Sequence, residues 1–272
     1  MRWITARRRH PAAGYAVVLL MLVAIGMAYA AVTGSGGPAS AAEPAAADQK
    51  QIAEGRDLFN QTCSSCHGLA AQGIPGIAPS LIGVGAAAVD FQVSTGRMPA
   101  KEPAAEAPRK PVAFTTSQRH AIAAYIESLG GGPPIPAPAQ VDPAAGNVAV
   151  GQQLFIANCA QCHNFVGAGG ALTSGKYAPA LTESTPTQIY EAMLTGPEAM
   201  PVFSDTALTP QDKRDIIAYV TEKRAETNPG GFSLGRIGPV TEGIVAFLGL
   251  LFFMVLAAMW ITAKHGKTEA HE

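Results

Sequence analysis

All four cysteines of this chain lie in two stretches, "FNQTCSSCHGLAAQG" at residues 59–73 and "FIANCAQCHNFVGAG" at residues 155–169. Each stretch contains Cys-x-x-Cys-His, and the second copy begins 96 residues after the first. Further matches at the same offset pair Gly55 with Gly151, Leu58 with Leu154 and Phe59 with Phe155. A pattern that recurs at a fixed offset predicts two copies of one structural unit.

Three kinds of site use paired cysteines, and the residue after the second cysteine separates them. A redox dithiol needs only the pair. A structural zinc site needs two pairs brought together, but here 92 residues lie between the pairs. Covalent haem attachment needs a histidine directly after the second cysteine, and both copies have one. The sequence therefore predicts two covalently bound haem c groups, tethered by Cys63, Cys66, Cys159 and Cys162 with His67 and His163 as axial ligands.

The second axial ligand of each iron is sought among the methionines outside the terminal segments. The first half has only Met98, whereas the second half has Met193 and Met200. Met98 and Met200 are both followed by proline, whereas Met193 has the helical spacing of a core residue. We therefore predict that Met98 and Met200 bind iron through neutral thioethers, which raise the reduction potential. The alternatives are Met193 for the second half and His120 for the first, although His120 is expected at the surface of a helix.

A proline follows each motif, Pro79 in "IAPSL" and Pro179 in "YAPAL". An axial histidine needs an acceptor for the proton on its other ring nitrogen, and a proline carbonyl oxygen serves that purpose. A proline also shapes turns. The residues alone do not separate these two roles.

Stretches rich in Gly, Ala and Pro divide the chain into its parts. Residues 33–49 form one linker, and residues 131–147 form a second that is expected to be extended and semi-rigid. Between them, residues 50–130 form the first half and residues 148–227 the second. A Pro-rich stretch at 100–111 is interpreted as a surface insertion in the first half.

Each half is predicted to be mostly α-helical, because no alternating strand pattern stands out. A short amphipathic helix precedes each cysteine motif, followed by long loops and a C-terminal helix. The C-terminal helices have start signals, Thr115 with Gln118 in the first half and Thr209 with Pro210 and Asp212 in the second.

Glycines mark the expected crossing of the first and last helices in each half. Tyr125 is expected to lie against Gly55, and Tyr219 against Gly151. Domains of this size bury little apolar surface from their own chain. We therefore expect the haem to complete each core.

Apolar segments lie at both ends of the chain. Residues 1–32 contain an uncharged run of 18 residues, which favours an uncleaved membrane anchor over a cleaved signal peptide with its site near 39–45. Residues 240–263 have the length and composition of a transmembrane helix, followed by a cytoplasmic tail at 264–272.

Basic residues predict the orientation in the membrane. Arg7, Arg8 and Arg9 precede the first apolar run, and Lys264 and Lys267 follow the last. The positive-inside tendency places both ends in the cytoplasm, provided that the first segment is retained. The two halves are then extracytoplasmic and anchored to the plasma membrane.

Each half resembles a class I c-type cytochrome, with Cys-x-x-Cys-His after a helix containing Gly and Phe, then a proline, a Met-Pro and a C-terminal helix with an aromatic. The resemblance covers about residues 50–130 and 148–227. It implies a mostly α fold of two tandem cytochrome c domains between an N-terminal hydrophobic segment and a C-terminal transmembrane helix. In that family the proline carbonyl accepts a hydrogen bond from the axial histidine, which favours that role for Pro79 and Pro179.

The tandem arrangement with its C-terminal helix is similar to the diheme cytochrome c subunits of actinobacterial cytochrome bc complexes. This resemblance implies a subunit of a proton-translocating quinol–cytochrome c reductase, without a substrate site of its own. It also implies that electrons come from the Rieske iron–sulfur subunit and pass to the copper centre of a cytochrome c oxidase. The implied partners are these subunits and cytochrome b, and the quinol site is implied to lie on another subunit.

Other functions remain as alternatives. The diheme subunit of a high-affinity haem–copper oxidase also has two such domains, but its anchor is N-terminal, so the C-terminal helix argues against it. A diheme peroxidase or thiosulfate dehydrogenase needs an iron that opens to substrate, and methionine ligation fills that position. A structural or assembly module has no use for two fully ligated haems. The net charge of -1 gives no indication of nucleic-acid binding.

Overall fold

The computed structural model describes residues 11–32, 49–104, 106–226, 234 and 239–268. Helix α1, Pro11–Val32, belongs to a unit separate from the rest of the chain, which forms a second unit from Asp48 onward. The basic residues before α1, the suggested cleavage site and nearly all of the first linker lie outside the described residues. The same holds for the side chains of Lys264 and Lys267.

The first half is built from four helices. They are α2 (Gln49–Thr62), α3 (Ser64–His67), α4 (Ala86–Ser94) and α5 (Thr116–Ser128). Helix α5 begins at the predicted residue, because the Thr115 side chain accepts a hydrogen bond from the backbone N–H of Gln118 and the Gln118 side chain bonds back to Thr115. Helices α2 and α5 pack against each other, and α4 packs on α5.

The second half repeats this plan with additions. Its helices are α6 (Pro138–Val141), α7 (Val148–Asn158), α8 (Ala160–His163), α9 (Pro186–Thr195) and α10 (Pro210–Ala225). A short antiparallel pair, β1 (Gly170–Ala171) and β2 (Tyr177–Ala178), follows α8. Short 3-10 turns lie at Pro143–Ala145, Thr173–Gly175 and Leu181–Glu183. The predicted cap of the last helix is present, since Thr209 and Asp212 bond reciprocally.

Helices α4 and α9 occupy the parts of each half that were expected to be loops. Helix α9 nevertheless has a start signal in its sequence, a capping box between Thr185 and Gln188 with Pro186 at the first helical position. Helix α4 follows Gly85 with no side-chain cap and is apolar around most of its circumference. Helix α4 is therefore stabilised by tertiary packing, and its position could not be predicted from neighbouring residues.

The first and last helices of each half cross at a glycine. A Cβ atom on Gly55 would lie 1.9 Å from the carbonyl oxygen of Ala121, and one on Gly151 would lie 1.9 Å from that of Asp215. In the first half the expected contact is present, because the Tyr125 Cβ would be 3.0 Å from a Gly55 Cβ. In the second half the nearest atoms belong to the backbone four residues before Tyr219. The tyrosine rings instead pack on phenylalanines, with centroid distances of 5.4 Å for Phe59–Tyr125 and 5.2 Å for Phe155–Tyr219.

The expectation of an extended second linker is wrong for residues 138–145. These residues form α6 and a 3-10 turn that pack on α10, with Val141 buried in the core of the second half. Backbone carbonyls in this stretch accept hydrogen bonds from α10, for example Ala139 O from Arg214 at 2.9 Å. The prolines fit because each lies in a first helical turn, where the missing N–H has no consequence.

The two halves contact each other directly through α4 and α9. The Gln188 side chain donates to the backbone oxygen of Ser94 at 3.2 Å and to its hydroxyl at 3.0 Å. Nearby, Glu191 is fully buried against Asp90, which accepts a hydrogen bond from Arg119 Nε at 3.3 Å. Burial, followed by the neighbouring Asp90, raises the pKa of Glu191 to about 9. The Glu191 carboxyl is therefore protonated at neutral pH.

Helix α11, Pro239–Thr268, is the long apolar helix predicted at the C-terminus. Its segment Val240–Ala263 is long and apolar enough to cross a membrane, and its side chains are not buried against the rest of the described chain. A core helix of a globular domain would instead have most of its side chains buried. Helix α1 has a shorter apolar stretch than α11, Gly14–Tyr29, among the residues whose side chains are described.

The glycine crossing predicts a strong effect of one methyl group. Gly151→Ala should destabilise the second half by roughly 1–3 kcal/mol or more, because α7 must move away from the Asp215 carbonyl. Thermal unfolding followed by circular dichroism measures the loss. Gln153→Ala, at an exposed position of the same helix, is the matched control. A Gly151→Ala protein that melts with the control would contradict the close crossing.

The buried Glu191 predicts a pH-dependent stability. Its pKa is raised in the folded state, so its contribution is complete below the ordinary value of 4.5 and is lost as pH rises through about 9. Between these two pH values the free energy of unfolding of the wild type falls by at most about 1.4 kcal/mol per pH unit. Glu191→Gln removes the titrating group and therefore this loss. The melting temperature of Glu191→Gln should rise relative to the wild type by several degrees between pH 6 and pH 8.

The control for this measurement is Glu222→Gln, which changes an exposed carboxyl on α10. Its melting temperature should follow that of the wild type at every pH. Parallel pH profiles for Glu191→Gln and the wild type would show that Glu191 is not a buried protonated acid.

Candidate functional site

The backbone around each cysteine motif has the same hydrogen bonds in both copies. The N–H of Cys63 donates to Phe59 O at 2.8 Å, and the N–H of His67 donates to Cys63 O at 3.0 Å. The corresponding bonds of Cys159 and His163 measure 2.8 and 2.9 Å. The motif therefore forms one tight turn after α2 or α7, which brings the two thiols and the imidazole into a fixed relation.

A proline carbonyl contacts the motif histidine in each half. His67 Nδ1 lies 2.9 Å from Pro79 O, and His163 Nδ1 lies 3.0 Å from Pro179 O. Since a carbonyl oxygen only accepts, each Nδ1 carries the proton and each Nε2 keeps a lone pair. Burial also lowers the pKa of His163, against the opposing effect of the Pro179 bond, so its neutral form is favoured. A neutral imidazole with a free Nε2 is the form that binds a metal.

The loop that carries each proline folds back over its motif at a glycine. The N–H of Gly73 donates to His67 O at 2.7 Å, and that of Gly169 donates to His163 O at 3.0 Å. Both glycines have positive φ, and a Cβ on Gly169 would meet Pro179 C at 2.9 Å. Glycine is therefore needed where the proline carbonyl approaches the histidine.

The thiols do not have the properties of a reactive dithiol. All four cysteines are free. Burial, followed by Cys66, raises the pKa of Cys63 to about 11, and burial, followed by Cys162, raises that of Cys159 to about 12. Redox-active cysteines have lowered pKa values, because the thiolate is the nucleophile. The two pairs also lie against separate cores, which opposes a shared zinc site.

The three methionines of the two halves all lie in or against the apolar cores. Met98 packs against the core of the first half, as does Cys63. Met193 is almost fully buried in the core of the second half, and Met200 packs against that core from a partly exposed position. Both Met193 and Met200 line the cavity described next, whereas His120 lies half-buried on α5.

A cavity in the second half brings its predicted site residues together. Cys159, Cys162, His163, Pro179 and Met200 all line it. Apolar side chains make up much of the remaining wall, among them Phe155, Leu172, Leu181, Ile189, Phe203 and Ile216. Two thiols, a neutral imidazole and a thioether around an apolar cavity fit a haem c group. The residues present therefore agree with the cofactor that the motif predicts.

Residues of the first half close one side of this cavity. Phe91, Arg97, Glu106 and Arg109 line it together with the second-half residues. The 100–111 stretch is largely at the surface, as predicted, but it also binds the second half. Glu106 accepts from the Tyr177 N–H at 3.2 Å, and Arg109 Nη2 donates to Gln188 at 2.9 Å.

Sequence reasoning missed this contribution of the first half. Arg97 directly precedes the predicted ligand Met98, yet arginine is mostly exposed in proteins, so nothing local marked it as buried. The anion nearest to it, Glu198, is about 100 residues away in sequence, with its Oε1 at 3.8 Å from the Arg97 Nε. The one available signal was that 100–111 has no counterpart in the second half.

Comparisons with known proteins agree with a tandem of two cytochrome c-type domains. Residues 52–130 match the family model described as "Cytochrome c". Residues 146–220 match the model described as "Cytochrome C oxidase, cbb3-type, subunit III".

Several curated proteins named "Cytochrome bc1 complex cytochrome c subunit" are similar over most of their length. The protein from Corynebacterium diphtheriae is 43% identical over 279 residues, covering 96% of this chain and 98% of that protein. The one from Mycobacterium leprae is 46% identical over 258 residues, covering 90% and 87%. The one from Mycobacterium tuberculosis is 45% identical over 251 residues, covering 86% and 88%.

Proposed function

Because this chain belongs to the family of cytochrome c subunits of the cytochrome bc1 complex, we propose that it relays electrons through two covalently bound haem c groups, from the Rieske iron–sulfur protein to a cytochrome c oxidase. One observation supports this most directly. Each of its two Cys-x-x-Cys-His motifs holds a buried or partly buried histidine whose Nδ1 is bonded to a proline carbonyl. That arrangement leaves Nε2 free in both halves.

Each residue of the site has a separate task. A bound haem supplies a one-electron iron couple. Cys63 and Cys66 in the first half, like Cys159 and Cys162 in the second, tether it through thioether bonds. His67 and Met98 in the first half, and His163 and Met200 in the second, would supply the protein ligands of its iron. Neutral thioethers favour the reduced iron and so raise the potential.

Ligands on both sides of the iron leave no position for a substrate. The chain then acts as an electron carrier within an oxidoreductase complex, and the site for quinol lies on another subunit. Quinol oxidation there releases two electrons and two protons, and the haem domains accept the electrons that pass through the Rieske protein one at a time. The protons are released outside, which couples the reaction to proton translocation.

The proposed topology follows from the apolar segments. Haem domains at 50–130 and 148–227 lie outside the plasma membrane, anchored by residues 240–263. The tail at 264–272 lies in the cytoplasm, as does the N-terminus if residues 1–32 are retained. Cytochrome b, the Rieske subunit and oxidase subunits are the proposed partners in this membrane.

A second candidate is the diheme subunit of a haem–copper oxidase. The match of residues 146–220 to subunit III of a cbb3-type oxidase is the observation that favours it. That match covers one half only, whereas the relatives named as bc1 complex subunits match nearly the whole chain. The long apolar C-terminal helix also agrees with the first proposal.

Haem content and ligation provide the first test. The pyridine haemochrome assay should give two haem c per chain, retained on a denaturing gel. Both haems should be low-spin, with the near-infrared sulfur-to-iron band of methionine ligation. Met200→Leu should remove about half of that band's intensity, because one of two thioether ligands is lost.

Met193→Leu is the matched control for this test. It changes a core methionine of the same cavity and should keep the full band while lowering the melting temperature. Loss of the band in Met193→Leu but not in Met200→Leu would reverse the assignment. A high-spin haem that binds peroxide in the intact protein would contradict the carrier function.

Purification in a gentle detergent provides the test of the partners. The tagged chain should bring cytochrome b, the Rieske protein and oxidase subunits, and an untagged strain is the control. Deletion of the chain should abolish quinol-driven oxygen consumption through the complex. Recovery of the chain alone, with that activity unchanged after deletion, would contradict the proposal. Recovery of oxidase subunits without cytochrome b would favour the second candidate.

A further inference from the structure

Both arginines that line the cavity of the second half come from the first half. Arg97 lies just after α4, and Arg109 lies in the 100–111 stretch. The charged side chain that the second half itself contributes to the wall is Glu198, an anion. The cations at this site are therefore supplied across the interface between the halves.

Arg97 is a buried cation without a hydrogen-bonded anion. It is 7% exposed, and its Nε has no hydrogen-bond partner in the described part of the chain. Glu198 Oε1 lies 3.8 Å from that Nε, which is ion-pair range but too long for a hydrogen bond. Glu198 Oε1 already accepts the Ala107 N–H at 2.9 Å.

The first half holds Arg97 in place by a separate set of bonds. Lys110 Nζ donates to Arg97 O at 3.1 Å and to Pro99 O at 2.7 Å, which closes the base of the 100–111 stretch. The Arg97 guanidinium lies over the Phe91 ring, 5.3 Å from its centroid. These contacts order the long Arg97 side chain at the cavity wall before any ligand binds. Binding a ligand there therefore costs little further side-chain entropy.

A haem c group brings two propionate carboxylates, and a carboxylate placed beside protein needs a partner. Guanidinium and carboxylate pair through two parallel N–H···O bonds, which are among the stronger hydrogen bonds in proteins. We infer that Arg97 of the first half binds a propionate of the haem held by the second half. This inference rests on the proposed function, since it requires a haem on the second motif.

Arg97 then acts as a positioning residue across the interface. It neutralises a negative charge near the iron of the second half, which disfavours the oxidised, more positive state and raises the potential. It also keeps the propionate ionised at physiological pH. The potential of that haem accordingly depends on a residue of the other half.

The test is a redox titration of the purified, haem-loaded chain between pH 5.5 and 8.5. Arg97→Gln should lower the potential of one haem and leave the other unchanged. It should also make that potential fall with rising pH, because the unpaired propionate now titrates in this range. Arg97→Lys keeps the cation and should restore most of the wild-type potential. Arg56→Gln removes an exposed arginine of the same half and should change neither haem.

Met98→His and Met200→His, each of which alters the spectrum of one haem, assign the two potentials. Wild-type potentials and pH slopes for both haems in Arg97→Gln would overturn the inference, as would an effect on the haem of the first half. Haem content measured on the same samples separates this outcome from failure of the proposed function, which predicts two haems per chain.

A second measurement covers the case in which Arg97→Gln does not load haem. A cryo-electron microscopy map of the wild-type, haem-loaded complex should place the Arg97 guanidinium within hydrogen-bond distance of a propionate of the second haem. A map in which Arg97 contacts only Glu198, or a propionate of the first haem, would overturn the inference.

Discussion

In each half a hydrogen bond from the motif histidine to a proline carbonyl holds the two sides of the site together. The donor and the acceptor are only 12 residues apart in the first half and 16 in the second, yet the loop between them must fold back sharply. That reversal requires Gly73 and Gly169, and it fixes the protonated ring nitrogen of each imidazole. The crossing helices then provide a stable base, because the tyrosine of the last helix packs on the phenylalanine one turn before the first cysteine.

Features set by a few neighbouring residues were predictable from the sequence. The cysteine motif, the capping boxes at Thr115 and Thr209 and the tandem cytochrome c fold all belong to this class. The second linker was read as extended from its prolines, but in a first helical turn proline costs nothing, so Pro138 begins a helix. The buried Arg97 and Glu191 had no local signal at all, because the acidic groups that approach them, Glu198 and Asp90, lie about 100 residues away in sequence.

Several polar and charged side chains are buried at the interface between the halves. Asp90, Arg119 and the protonated Glu191 meet where α4 packs on α9, and Gln188 bonds to Ser94 beside them. Such groups tolerate few arrangements, because each buried polar atom must keep a partner or lose its charge. A polar interface of this kind selects one relative placement of the halves more strictly than an apolar surface of the same area would.

The places where the two copies depart from the repeat are also the places where they meet. Between Met98 and Thr115 the first half has 16 residues, whereas the second half has eight between Met200 and Thr209. In the second half, Pro179 follows Gly169 by ten residues, whereas Pro79 follows Gly73 by six, and the longer loop extends the single Ile74–Ala78 bridge of the first half to the pair β1 and β2. These two additions bind each other, since Glu106 accepts the backbone N–H of Tyr177. Domains joined only by a linker would move independently. The additions instead join the two cytochrome c-type domains into one unit, and such a unit would hold the two proposed haems at a constant separation.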